Sequence, residues 1–441
     1  MKLDNWLAQR SQSCPDRTAL VADGAEVTYA ELEAESTWVA RRLAAYGVRR
    51  GSVAALTMDP RREQVVLLHA LMKVGAIVLP LSPKYSESER AAVIAAEEPA
   101  VDLSDPGQLT QTEADLPLLG EHDMNDVYCR MLTSGSSGAP HSVGLTYGNF
   151  LWSAVGSAFN IGVEPEDRWL CCVPLSHISG MGIVMRSAIY GTTAVLHDGF
   201  DVDRVAAALG EDGITVVSVV TTMLTRLLEA GADLSGPRTI LVGGGPVPEE
   251  TLQEAIGRGA TVVQTYGLTE ACSQVTTLAP GEARRKLGSA GRPLLTTHLR
   301  IQDGEILVQG PTVAPGLADA DGWLHTGDLG RIDEEGFLYV EDRIDDMIVT
   351  GGENVVPAEV ENVLLRHPEV ADAAVIGRDD PEWQQAVTAV VVLEAGSEAS
   401  PDELRRHCAD SLAGYKVPKR IELAAALPRT PSGKLMRRAL R

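Results

Sequence analysis

Lysine is scarce in this chain. Only seven of its 38 basic residues are lysine, against 61 acidic residues, and the formal net charge is −23. So acidic a balance excludes nucleic acid or an anionic membrane as the main partner, because both are held by basic surfaces. It does not exclude a small phosphate-bearing ligand, which a few local donors can hold. Cysteine is sparse as well: Cys14, Cys129, Cys171, Cys172, Cys272 and Cys408 form no C-x-x-C pair. That spacing suits neither a zinc site nor a disulfide framework and points to buried thiols in a reducing, cytoplasmic setting. A bilayer-spanning run is missing too. The longest apolar stretch, 65–81, carries His69 and Lys73 and is too short to cross a membrane comfortably. It reads as a core helix passing through Gly75 into a strand over 76–81. The opening Met1-Lys2-Leu3-Asp4-Asn5-Trp6 has no basic stretch leading into an apolar core, so no secretory leader is expected.

What is present is a large apolar fraction, 44% of 441 residues, with mean hydropathy near zero. That composition specifies a globular protein of two or three domains. Helical periodicity over 28–46, 202–209, 223–230 and 248–257 alternates with β-branched runs over 52–58, 215–220, 239–242 and 261–264. Such alternation predicts α/β units on a mostly parallel sheet, with ligands at the loops that follow the strands. The texture changes after about residue 285. Short strands over 299–301, 305–309 and 337–341, divided by Asp-Gly or Glu-Gly turns, predict a small antiparallel unit. Beyond the joint at 341–346, a helix over 359–367, strands over 371–377 and 387–393 and a helix over 401–413 predict a small α+β domain. The fold class is therefore α/β: a large N-terminal domain of α/β subdomains plus a small β unit, over 1–344, hinged to a small α+β domain, over 345–441.

Candidate chemistry sits at the glycine-rich breaks. Thr133-Ser134-Gly135-Ser136-Ser137-Gly138 combines hydroxyls with glycines directly after the apolar region 127–132. Its hydroxyls and backbone N–H groups suit a polyanion, although no Gly-Lys-Ser/Thr follows as in P-loop NTPases. Gly243-Gly244-Gly245-Pro246 leaves a backbone open to a flat ligand. Tyr266-Gly267-Leu268-Thr269-Glu270 offers an aromatic face, a hydroxyl for phosphate and a carboxylate for Mg²⁺. Asp328 in Thr326-Gly327-Asp328 suits ribose hydroxyls, and Arg343 suits the same group from the other side. Lys434, in Pro431-Ser432-Gly433-Lys434, places one of the rare lysines in a flexible turn. Each piece alone also reads blandly, as a helix-start loop, a core aromatic, a turn residue or a solvated charge. Their order and spacing together do not.

Taken together, these five separated motifs resemble the adenylate-forming superfamily of acyl-CoA ligases, peptide-synthetase adenylation domains and luciferases, from about Trp6 to the C-terminus. Within it, the chain is most similar to the o-succinylbenzoate–CoA ligase family of menaquinone synthesis. That likeness rests on Pro174-Leu175-Ser176-His177-Ile178-Ser179-Gly180 with Arg186 six residues on, on 218–228, on Tyr266 through Gln274, and on Gly291-Arg292-Pro293-Leu294-Leu295-Thr296-Thr297. The resemblance implies ATP, Mg²⁺ and coenzyme A as reactants and cofactors, and an acyl-adenylate as intermediate. Lys434 matches the lysine that bridges the substrate carboxylate and the α-phosphate. Thr269 would contact the α-phosphate, Glu270 would hold the metal, and Thr133 to Gly138 would hold the outer phosphates. Tyr266, Gly267 and the Gly243–Pro246 loop would flank adenine, with Asp328 and Arg343 on the ribose. Asp345 matches the hinge, and Gly351 and Gly352 lie in the loop that would face the pantetheine channel.

His177 borders the family's acyl pocket, and Ser218 and Thr222 are further candidates for its lining. Arg186 is the candidate partner of a second substrate carboxylate, since arginine grips carboxylates bidentately; its bland reading is a surface helix charge. One departure stands out. The family loop continues Pro-Lys-Gly, whereas this chain reads Pro140-His141-Ser142. The change removes a charge near the pyrophosphate that only a protonated His141 would restore. Two alternatives stay open: a ligase for another aryl or medium-chain acid, and a non-catalytic nucleotide-binding relative. The expected partners are small molecules (an acid, ATP and coenzyme A), and the sequence leaves a homo-oligomer open.

Overall fold

The computed structural model describes residues 1–104, 109, 112–114, 116–134, 140–350, 353–381, 383–429 and 435–441. The chain divides into two compact units. One comprises residues 1–299 and 308–324, the other residues 300–307 and 325–441.

The first unit is built on a nine-stranded sheet whose centre is parallel. Thr193–Leu196, Arg168–Cys171, Val216–Val220, Thr239–Gly243 and Val262–Leu268 lie side by side in one direction, with Thr18–Ala22 also parallel. Antiparallel strands finish both edges. The central strands read as continuous β-branched runs because helices cover the sheet, and Val217, Ile240 and Val262 are essentially sealed from solvent. Each such side chain contributes about 1.5–3 kcal/mol on burial. A second sheet of five strands runs Val101–Asp102, Val53–Thr57, Ile77–Leu81, Val127–Ser134 and Pro140–Thr146, with only the last pair antiparallel.

Local chemistry accounts for the element ends. Thr28 caps the helix Tyr29–Ala45 and Glu31 reaches back to it, which satisfies two end N–H groups reciprocally. Gly75 ends the helix Arg62–Val74 at φ +76, where a side chain would be strained. The expected core helix and following strand are thus both present.

The second unit has two sheets. Four strands, His298–Gln302, Glu305–Gln309, Leu324–Ile332 and Leu338–Arg343, form the first in that order. The second joins Glu353–Val355, Ile348–Thr350, Gln384–Leu393 and Val370–Asp380, with Arg420–Leu423 beside Gln384–Leu393. The helices Pro357–Leu365 and Pro401–Ala409 pack on it around Val360, Leu364, Val375, Val387 and Leu404.

Several elements differ from the sequence expectation. Leu324–Ile332 is a strand that Gly327, Gly330 and Asp328 hide, so Thr326-Gly327-Asp328 lies within the sheet rather than in a loop. Tyr266 and Gly267 likewise belong to the strand Val262–Leu268. Pro140–Thr146 and Arg420–Leu423 were not expected as strands, and the last helix stops at Ala409 rather than 413. Pairing explains the four strands: a neighbouring strand supplies the hydrogen bonds that local propensity does not.

Candidate active site

In the first unit three neighbouring strands end together. Val220 pairs with Gly243, and the next pair of strands aligns Val242 with Gln264. Carried two residues further, that register sets Gly244 level with Tyr266. A Cβ on Gly243 would meet the Thr265 methyl at 2.8 Å, so this position needs glycine for packing. Gly244 has φ +84, and Gly245 faces open space. Thr221 Oγ donates to the Pro246 carbonyl at 2.9 Å and ties the glycine turn to the helix Thr221–Glu229, whose second residue is Thr222.

Tyr266 is buried, and the register shifts by a bulge directly after it. Gly267 is obligatory: its Cβ would fall 1.7 Å from the Ser273 carbonyl oxygen. The chain then turns through a single 3₁₀ turn, Thr269–Ala271, and returns with Cys272 and Ser273 at φ 51 and 86. Two adjacent non-glycine residues in the left-handed region concentrate backbone strain at this turn. Strain of this kind presents Thr269 and Glu270 at the strand end. The Glu270 side chain is half-buried and has no hydrogen bond or ion pair among the described residues; only its carbonyl is used, accepting from Ala314 N at 2.8 Å.

The second cluster surrounds the helix Ile178–Tyr190. His177 sits at its N-terminus, and burial, then Lys84, push its pKa below the ordinary imidazole value, so it is neutral at pH 7. A Cβ on Gly180 would lie 2.4 Å from the Pro174 carbonyl oxygen, which explains the glycine that ends this motif. Arg186, on the same helix, is 4% exposed, which rules out its reading as a surface charge. Its Nη2 donates to Ser153 Oγ at 2.9 Å, its guanidinium lies 5.8 Å from the Trp169 ring centroid, and its Nε has no partner among the described residues. Burial lowers its pKa, and among the described residues Tyr190 and Cys272 oppose that and no carboxylate does. Trp169 in turn donates its indole N–H to Ser218 Oγ at 3.0 Å. The structure thus joins Arg186 and Ser218 through Trp169.

In the second unit Asp328 and Arg343 face each other on paired strands, with Nε and Oδ1 3.6 Å apart. Gly327 beside them has φ +69 and donates its N–H to Glu305 at 2.9 Å, and Thr326 Oγ donates to the Ile306 carbonyl. Thr133 is the next-to-last residue of its strand, paired with His141. Gly135, Ser136, Ser137, Gly138, Gly351, Gly352 and Lys434 lie outside the described residues, as do the side chains of Ser134, His141 and Asp345.

Comparison with known proteins fits this geometry. Residues 7–120 and 103–318 match the model of the AMP-binding enzymes, and 359–434 match the AMP-binding enzyme C-terminal domain. A 2-succinylbenzoate–CoA ligase from Geobacillus kaustophilus is 43% identical over 100% of this chain and 97% of its own. The chain belongs to this ligase family. The o-succinylbenzoate CoA synthetase of Bacillus subtilis in complex with the acyl-adenylate OSB-AMP matches with TM-score 0.93 and 39% identity, over 100% of this chain and 98% of that one. The same enzyme with ATP and a magnesium ion matches with TM-score 0.92 and 39% identity, over 100% of both chains.

Family membership gives the unpaired Glu270 a chemical reading. Among the described residues no group of three or more acidic, histidine or cysteine side chains could hold a metal alone. A lone carboxylate suits Mg²⁺, which is bound by one or two carboxylates and otherwise by phosphate oxygens and water. Among the described residues no helix is long and apolar enough to cross a membrane.

Sequence reasoning overlooked three residues, two of them beside Arg186. Ser153 and Trp169 contact it, and Gln274 is 3% exposed with both side-chain amide atoms unpartnered. Gln274 had a visible signal, its place at the end of the motif that runs from Tyr266 to Gln274. Ser153 and Trp169 had none, since a serine on a helix and a tryptophan in a strand are ordinary.

Proposed function

We propose that this chain joins o-succinylbenzoate to coenzyme A at the expense of ATP, by way of an acyl-adenylate, in the cytoplasm. One observation carries the choice of acid: Arg186 is a buried guanidinium with no acidic partner among the described residues. Arginine cannot shed its proton as histidine or lysine can, so a buried one calls for an anion. A diacid supplies it with the carboxylate that does not react, and a monoacid does not. Ser153 and Trp169 hold the guanidinium from the protein side. His177, Ser218 and Thr222 complete the pocket wall. A neutral His177 can hydrogen-bond the substrate without repelling Arg186.

In the first half-reaction a carboxylate oxygen attacks the α-phosphorus of ATP, and the bond to the β-phosphate oxygen breaks, releasing pyrophosphate. Lys434 supplies positive charge between the carboxylate and the α-phosphate, where it is needed most. Thr269 donates to the α-phosphate, and Thr133, Ser134, Gly135, Ser136, Ser137 and Gly138 donate to the outer phosphates. Tyr266, Gly267 and Gly243, Gly244, Gly245 and Pro246 enclose the adenine, and Asp328 with Arg343 orients the ribose. Glu270 would hold Mg²⁺, which neutralises phosphate charge when bound. In the second half-reaction the thiolate sulfur attacks the activated carbonyl, AMP leaves with the carbon–oxygen bonding pair, and the thiol proton passes to solvent. Rotation at Asp345 of residues 345–441 against 1–344 withdraws Lys434 and brings Gly351 and Gly352 to the thiol channel.

The test is acid-dependent pyrophosphate release and thioester formation with o-succinylbenzoate, benzoate and octanoate. Thioester from o-succinylbenzoate alone, lost in Arg186→Ala, is the expected result. Equal turnover of the monoacids would leave a ligase but remove the assigned acid. Absence of pyrophosphate with every acid would remove the ligase.

A further inference from the structure

The second unit holds a buried charge cluster apart from the groups assigned to the reaction. Arg437, three residues past Lys434, is largely buried against Glu361, Asp346 and Asp342. Its Nη2 and Nε donate to the two oxygens of Glu361 at 2.7 and 3.2 Å. Its Nη1 donates to Asp346 at 3.2 Å and lies 3.7 Å from Asp342. These carboxylates are also held independently of Arg437, Asp346 by Arg441 Nη2 at 3.0 Å. Glu361 also accepts from Val375 N at 2.7 Å, and Asp342 accepts from Ala358 N at 2.9 Å and Arg343 N at 2.7 Å. Burial opposes the charge on Arg437, but the surrounding carboxylates outweigh it and hold its pKa up.

The chain before Lys434 is anchored in the same manner. Arg429 grips Asp372 through both oxygens at 2.7 and 3.0 Å. Arg429 bridges to Leu435, and Met436 N donates to the Pro428 carbonyl at 2.9 Å. Leu427 and Leu435 pack with Ala374 and Val390. Residues 427–429 and 435–437 therefore form a paired stem, with an arginine–carboxylate clamp on each side. Asp342 and Asp346 also bracket position 345, so the stem is tied to the hinge segment.

We propose that Arg437 is a positioning residue for adenylation, rooting the stem from which Lys434 reaches the α-phosphate. This inference rests on the role assigned to Lys434. A lysine is a point charge on a flexible four-carbon side chain, so its placement depends on a rigid base. Arg437 serves as that base because a planar fork can bind Glu361 through two bonds while reaching Asp346, which a lysine cannot reproduce.

The experiment separates the half-reactions in the full chain. Adenylation is read as o-succinylbenzoate-dependent ATP–pyrophosphate exchange, and thioester formation is read from supplied acyl-adenylate and coenzyme A. Arg437→Lys should lower exchange about tenfold to a hundredfold. It should leave thioester formation within about twofold, because Lys434 has no part in that step. Asp346→Asn keeps the Glu361 clamp and should lower exchange about threefold, again without loss of the second step. Equal loss of both half-reactions, or unchanged exchange in Arg437→Lys, overturns the inference. If Arg437→Lys does not fold, Asp346→Asn decides alone, on the same two readouts. Lys434→Ala with intact exchange would remove the lysine's assigned role and this inference with it. Absence of exchange in the unaltered chain would remove the ligase reading itself. Both controls are independent of the Arg437 variants.

Discussion

Arg186 in the first unit and Arg437 in the second are both withdrawn from water, yet their surroundings differ completely. Arg437 is enclosed by Glu361, Asp346 and Asp342, while Arg186 has a serine hydroxyl and an indole face. A buried cation that carries its own anions is part of the framework. One that lacks them is held ready for an anion from outside, and the protein bears the desolvation cost until that anion arrives. The contrast converts burial, which both arginines share, into a distinction between anchor and binding site.

The largest expected effect is on the anchor. Arg437→Met leaves Glu361 and Asp342 without their cation, and Asp346 with only the exposed Arg441, and should destabilise the second unit by about 3–5 kcal/mol, read by chemical denaturation. A loss below about 1 kcal/mol would mean that the cluster is not a structural anchor. Arg186→Met should do the reverse. Without substrate it should raise the unfolding free energy, because an uncompensated charge is replaced by an apolar side chain of similar length. Its kcat/KM for o-succinylbenzoate should fall by about 2–4 kcal/mol of transition-state binding, with monoacids unaffected. A destabilised Arg186→Met would erase the contrast.

His69 sharpens the comparison from a third side. It is 2% exposed, and burial followed by the nearby Lys73 lowers its pKa to about 3. Unlike arginine, an imidazole can answer burial by giving up its proton. The unfolded chain binds that proton near pH 6.5 and the folded chain does not, so stability is full above that value and declines as pH falls below it. The His69 contribution to that decline is about 2 kcal/mol at pH 5, and His69→Leu should flatten the stability profile between pH 6.5 and 5. An unchanged profile would show that His69 is protonated in the folded state. The smallest effect belongs to Ser153→Ala, which removes one hydrogen bond from Arg186 and should cost about 1 kcal/mol in kcat/KM for the diacid. A loss as large as that of Arg186→Met would show that Ser153 orients the guanidinium rather than merely accompanying it.

Much of the fold is legible along the chain. The β-branched runs at 215–220, 239–242 and 261–264 become parallel strands, and the helices between them end within a few residues of the expected positions. Legibility fails where glycine, aspartate or histidine enters a strand, as in Leu324–Ile332 and Pro140–Thr146. There the ladder partner, rather than the residue's own propensity, holds the backbone extended. In the site, Gly243, Gly267 and Glu270 are visible as motif residues. The burial of Arg186 had one overlooked signal: the helix Ile178–Tyr190 is apolar on every side, and a polar residue on such a helix is buried with it.

The amino-acid order alone determined the alternation of elements, the glycine turns that open the strand ends and the residue types available for chemistry, because periodicity and backbone freedom are local properties. Only the tertiary structure decided that Arg186 lies without an acid among the described residues while Arg437 lies among three. Charge compensation depends on which distant side chains come within a few ångströms, and neither spacing nor composition records that.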